Sequence, residues 1–275
     1  MEQARENNSS SLVDRAVLDL LYPTGGYSSE TGGKMHNLHT LTNAQVARYH
    51  KELYRPDNVC FILSGTAGAP EFIAAMEKIE ARVLDQGGGG GATGRLPRPW
   101  KQPVAPMAAV GVKGVLGPGG EGGEPRTVHF PSEDESTGVV SMAWRGPSYT
   151  DQATWTQLQL LWSYLTEGAV APITKHLVEV DPPLCSRAGP AYDIFSEGYH
   201  QVWFQDAKTE SLAALPAAFF TQLRAAMQPE VFDIARMQIV IKRKRRQILE
   251  GIERAPSGLV IRGATNRPPQ HLAPW

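Results

Sequence analysis

Between Gln86 and Glu124 the chain runs through QGGGGGATG and GVLGPGGEGGE, and this tract restricts the possible architectures more than any other feature. Glycine loses more conformational freedom on ordering than any other residue, and here it is too dense and too unpatterned to sit in a helix or strand. The tract therefore reads as a flexible linker or surface insertion. Organised structure is expected on either side, at 1–85 and 125–256, with an atypical tail at 257–275. A phosphate-cradling loop would need a strand before the glycines and a helix with Gly-Lys-Ser/Thr after them, and neither is present.

The 275 residues are 41% hydrophobic and 20% charged, a globular composition, and the net charge of -1 provides no general attraction to nucleic acid or to an anionic membrane. Neither is expected as a partner. The longest apolar runs, VCFIL and LQLLW, are too short to span a bilayer, and the polar start MEQARENNSSSL has no secretory signal core. Cys60 and Cys185 lie in apolar surroundings and read as reduced core residues. Together these features point to an intracellular location, cytoplasmic or mitochondrial.

In the first block a helix is expected over about Ser10–Leu21, with Val13, Ala16, Val17 and Leu20 at helical spacing and Pro23 ending it. Thr42 and Gln45 form a capping-box pattern ahead of a helix whose face carries Val46, Tyr49, His50 and Leu53. After the turn RPDN, residues 59–63 (VCFIL) read as a buried strand ending at Gly65. Pro70 then opens a helix with Phe72, Ile73, Met76, Ile79 and Val83 inward. The second block starts with two expected strands, near RTVHF and GVVSMAW, joined by PSEDESTG. Helices follow at about Asp151–Thr166 and Ala171–Val178, then an antiparallel pair turning at 196–198, then helices at about Glu210–Met227 and Pro229–Arg254. This order predicts an α+β fold with helices packed on one face of a mostly antiparallel sheet.

The stretch TGGYSSETGGKMHNLHTLT, residues 24–42, holds the most suggestive chemistry. His36 and His39, at i and i+3, could share a helix face and bind zinc with Glu30 close in sequence. A catalytic zinc needs three convergent protein ligands, and no HExxH or HxxEH occurs in the chain, so the stretch reads as a polar lead-in to the Thr42 cap. SEDES (132–136) lacks the spacing of a calcium loop and reads as a solvated hairpin turn. KRKRR (242–246) lies within a helical pattern whose apolar face is Ile234, Met237, Ile241, Ile248 and Ile252, so it reads as a charged outer face. No serine sits in a GxSxG elbow, and Cys185 has no accompanying His/Asn signature. No catalytic, cofactor-binding or metal-ligating residue is assigned.

Residues 22–65, YPTGGYSSETGGKMHNLHTLTNAQVARYHKELYRPDNVCFILSG, closely resemble a segment of the pitrilysin/insulinase family of zinc peptidases. FPSEDESTGVVSMAWRGP and LVEVDPPLCS resemble the next part of the same module, most of all in a presequence-protease-like eukaryotic subgroup. The resemblance covers about Met1–Pro256 outside the Gly-rich tract, and the tail SGLVIRGATNRPPQHLAPW departs from it. It implies a fold like the mitochondrial processing peptidase, with 1–85 closing the N-terminal half of a module and 125–256 completing its C-terminal half. The family's zinc is held by the histidines of HxxEH and a downstream glutamate, with the motif's glutamate as general base. The resemblance places all of these upstream of the matched region, and the role is not transferred to Glu2. It thus implies a fragment or degenerate member of a zinc metalloendopeptidase, inactive alone and holding no zinc itself. Its partner would be the missing N-terminal half or a homologous module, and its substrates peptides. A non-catalytic scaffold derived from the same fold is the alternative.

Overall fold

The computed structural model describes residues 8–23, 27, 29, 32–54, 59, 61–66, 68–85, 125–194 and 197–255. The Gly-rich tract and the tail therefore lie outside the described residues. The chain divides into two compact units, one of Met1–Gly32 with Pro103–Gln247 and one of Gly33–Gln102 with Ile248–Trp275.

The first unit is built on three antiparallel strands, β1 (Thr137–Arg145), β2 (Arg187–Asp193) and β3 (Tyr199–Lys208), in the order β1-β3-β2. Strand alternation sends Val202 and Phe204 of β3 to one face, where they are fully buried. That face packs against the apolar stripe of α5 (Gln152–Thr166), α6 (Pro172–Leu177) and α7 (Leu215–Ala226) around Trp162, Leu165, Ile173, Leu177, Leu215 and Phe219. These are the expected helices on one face of an antiparallel sheet. The other face is lined by Ser141, Arg145, Tyr199, Gln201 and Trp203, and α1 (Ser9–Leu21) lies across it. The shift from Gly138↔Ala207 to Val140↔Phe204 marks a bulge in β3, where Asp206 adopts a positive φ of 48°.

Local chemistry sets the helix ends. Asn8 caps α1 through Ser11 N at 3.1 Å, and Asp151 caps α5 through Thr154 N at 3.0 Å. Gly168, at φ +89°, stops α5 in the left-handed region where only glycine is unstrained, and Pro172 opens α6. Two helices are shorter than the spacing predicts. The segment from Thr209 first makes a 3₁₀ turn before α7. The segment from Pro229 makes a turn on the Gln228 carbonyl, and α8 (Ile234–Arg254) begins only where Asp233 accepts from Arg236 N at 2.9 Å. The phase of α8 also differs from expectation. Val240 is its buried residue, and Ile234, Ile241, Ile248 and Ile252 are exposed. Residues 126–130 form no strand, so SEDES is an exposed lead-in to β1 and not a hairpin turn. Within it the Ser136 hydroxyl, and then Ser136 N at 2.8 Å, donate to Asp134 and hold its carboxyl below the usual range.

The second unit contains α2 (Met35–Leu38), α3 (Asn43–Leu53) and α4 (Ala69–Asp85). The capping box of α3 is present in both directions: Thr42 N donates to Gln45 Oε1 at 2.8 Å and Gln45 N to Thr42 Oγ1 at 3.3 Å. The expected strand at 59–63 is not formed. Val59 and Phe61–Leu63 are irregular and exposed, and Cys60 lies outside the described residues. A strand is stable only when a neighbour takes its backbone hydrogen bonds, and no described segment of this unit forms a strand to supply them. The stripes expected to point inward from α3 and α4 are largely open as well, with Val46, Tyr49, Ile73 and Ile79 exposed.

Candidate functional site

Among the described residues β2 pairs only with β3, so its other side is a free sheet edge. An open groove of about 450 Å³ runs along that edge, walled on the opposite side by the junction of α5 and α6. The junction is rigid for stated reasons. Thr174 Oγ1 donates to the Thr166 carbonyl at 2.6 Å, and Gly168 turns the chain sharply. Arg236 of α8 holds the last carbonyls, donating to Val170 O at 2.8 Å and Glu167 O at 3.3 Å, where a cation also complements the helix dipole. On the strand side Gly189 lies opposite Trp203, and a Cβ there would come within 3.0 Å of Trp203 Cζ2. The missing side chain lets the indole lie across β2.

The groove carries two charges in different circumstances. Glu167 is satisfied: Ser163 Oγ donates to it at 2.8 Å and Arg243 forms an ion pair with it. Burial, and then the Glu167 carboxylate, raise the pKa of the Tyr192 hydroxyl on the same wall. Arg187 is exposed, with its guanidinium over the Trp203 ring at 5.2 Å. Among the described residues no carboxylate pairs with it. Among the described residues the groove thus offers an unpaired backbone edge, an aromatic wall and one cation without a counter-charge. It can accept an extended chain as an added strand.

The opposite face of the sheet is closed by α1. Arg145 Nε donates to Leu21 O at 2.8 Å, caps that helix end, pairs with Glu197 at 3.3 Å and stacks over Tyr22 at 5.0 Å. Tyr22 is fully buried and donates to Glu197 O at 2.7 Å. Ser141 donates to Gln201, and Gln201 donates to Asp14, each at 3.1 Å. Burial raises the Asp14 carboxyl above its ordinary range, opposed by the Gln201 bond. This polar chain fastens α1 to the sheet and leaves a cavity of about 160 Å³ beside it.

The residues singled out in the sequence fall elsewhere. Glu2, Glu30 and the His36 side chain lie outside the described residues, and His39 is exposed just after α2. Among the described residues no three His, Cys, Asp or Glu side chains converge as metal ligands. Cys185 is buried against the Leu177 carbonyl, and its thiol is pushed up to about 11 by burial, which makes it an unreactive core thiol. Of KRKRR, Arg243 belongs to the groove through Glu167. The groove itself was not foreseen. Its one sequence signal is Gly189-Pro190 inside a strand pattern, which is tolerated mainly at sheet edges.

Residues 40–239 match the family described as the peptidase M16 inactive domain. The chain belongs to that family. It is 31% identical over 265 residues to an uncharacterised protein of Schizosaccharomyces pombe, covering 94% of this chain and 24% of that protein. It is 29% identical to an uncharacterised protein of Saccharomyces cerevisiae, covering 86% of this chain and 21% of that one. It thus spans about a quarter of the length of these relatives. A protease from Helicobacter pylori shares the fold with a TM-score of 0.66 at 15% identity, covering 95% of this chain and 57% of the protease. A putative M16-like peptidase from Alicyclobacillus acidocaldarius does so with a TM-score of 0.58 at 13% identity, covering 90% of this chain and 53% of that one. The chain is therefore a peptidase-fold domain of α+β class.

Proposed function

We propose that this domain holds peptides for a catalytic partner and performs no hydrolysis itself. One observation carries the reading: in a domain of the M16 inactive family, the outer edge of β2 pairs with no other strand among the described residues and faces a groove with a Trp203 wall. A peptide in extended form adds to such an edge through main-chain hydrogen bonds, which confers affinity with little demand on sequence. The catalytic partner is the other half of a peptidase module, of the presequence-protease-like subgroup. It supplies the HxxEH motif, the zinc and the general base, as one part of a longer polypeptide or as a separate chain. The exposed apolar side chains of the second unit, Val46, Tyr49, Phe61 and Ile73, support a partner surface there.

The test uses the full chain and a fluorescein-labelled, end-blocked heptapeptide of alternating threonine and valine. Saturable binding by anisotropy is expected, with hydrogen–deuterium exchange slowed across 187–193. Binding without protection of that strand, or no binding, overturns the docking reading. Co-expression with the HxxEH-bearing half of a relative should yield a zinc-dependent peptidase complex. A chain that ignores such a half overturns the partner assignment.

A further inference from the structure

The groove contains more selectivity than an unpaired edge alone provides, and the structure assigns it to Arg187. This inference rests on the docking reading above and names the chemistry of the docked peptide: we infer that it carries an acidic side chain facing Arg187. Of the charges lining the groove, Glu167 is neutralised by Arg243 and further bonded by Ser163. Among the described residues the Arg187 guanidinium has no carboxylate partner and lies over the Trp203 ring. A guanidinium resting over an indole has part of its freedom already restricted, so less side-chain entropy is lost when a carboxylate binds it. The stacking depends on Gly189, because any side chain there would press on the Trp203 ring that supports the guanidinium. The unpaired guanidinium thus lies at the N-terminal end of β2, while the Asp206 carboxylate there accepts from Ser186 Oγ at 2.6 Å. A lysine or arginine placed there by a docked strand meets like charge, and an aspartate or glutamate meets the free fork.

Neighbouring sites alternate along a strand, so only one position of the peptide is read in this way. The other side chains on that face meet the Trp203 wall or solvent, and those on the second face meet the α5–α6 junction. The expected peptide is thus an extended, mainly uncharged segment with a single acidic position.

Three end-blocked heptapeptides separate this inference from the docking reading. One is the neutral threonine–valine peptide, and the other two carry a central glutamate or a central lysine. The glutamate peptide should bind about two- to fivefold more tightly than the neutral one, the range expected for a solvent-exposed ion pair, and the advantage should shrink at high salt. The lysine peptide should bind more weakly than the neutral one. Arg187→Gln should equalise the three, Arg187→Glu should reverse their order, and Arg187→Lys should retain part of the preference. Circular dichroism and slowed exchange over 187–193 with the neutral peptide establish that each variant is folded and still docks. If the neutral peptide docks and glutamate confers no advantage, or if Arg187→Gln keeps the preference, the assignment to Arg187 is wrong and docking stands. If the neutral peptide fails to protect β2 in the parent chain, the docking reading falls and this inference with it.

Discussion

His200 shows how one side chain can tie stability to pH. It stacks on Trp144 with centroids 5.4 Å apart, and its Nδ1 accepts from Trp162 Nε1 at 3.2 Å. An indole N–H can only donate, so Nδ1 must be unprotonated and the ring neutral. Burial depresses its pKa from the ordinary 6.5 to about 4. The folded chain therefore refuses a proton that the unfolded chain accepts between those values. The contribution is complete above pH 6.5 and is lost as pH falls toward 4, up to on the order of 3 kcal/mol. Urea unfolding at several pH values should show a steeper loss between pH 6.5 and 4 in the parent than in His200→Gln, which keeps an acceptor for Trp162. Parallel curves would contradict this account. Gly146 is constrained by packing in a similar way, since a Cβ there would lie 2.6 Å from Cη2 of the buried Trp155.

Secondary-structure elements were legible in proportion to how local their causes are. The cap at Thr42, the helix at about Asp151–Thr166 and the hairpin between β2 and β3 were all readable, because each depends mainly on residues close in sequence. The strand expected at 59–63 was not formed, because a strand's stability lies in its neighbour and not in its own residues. The phase of α8 was misread for a related reason. Ile234, Ile241, Ile248 and Ile252 make a tidy apolar stripe, yet the core takes Val240, with Met237 packed against it. Position in the core, not hydrophobicity, decides the cost of truncation. Val240→Ala, at 3% exposure, should lose about 1–3 kcal/mol of stability, and Ile241→Ala, at 38%, clearly less, measured as shifts in urea midpoint. Equal losses would mean that the helix presents its isoleucine stripe to the core after all.

At the level of the whole molecule, the two units differ in how well they bury their apolar residues. The first has a continuous core from Met142 through Phe219 to Val240. The second has no buried residue in α3 or α4 and leaves Val46, Tyr49, Phe61, Ile73 and Leu84 exposed. Exposed apolar side chains of this kind favour association. The chain alone should therefore sediment as concentration-dependent oligomers at micromolar levels, and Val46→Ser with Ile73→Ser should shift it toward monomer. A monomeric parent chain would show that this surface is covered in solution. The sequence by itself determined the class of fold and most helix boundaries in the first unit, because periodicity, caps and turn residues act over a few positions, and its resemblance pointed to the peptidase family that residues 40–239 match. Only the tertiary structure decided that β3 lies between β1 and β2, that Arg187 rests on Trp203 opposite Gly189, and that Glu167 is already paired with Arg243. Those residues are brought together by sheet order and helix packing across long stretches of chain, and no local spacing encodes which partner each one meets.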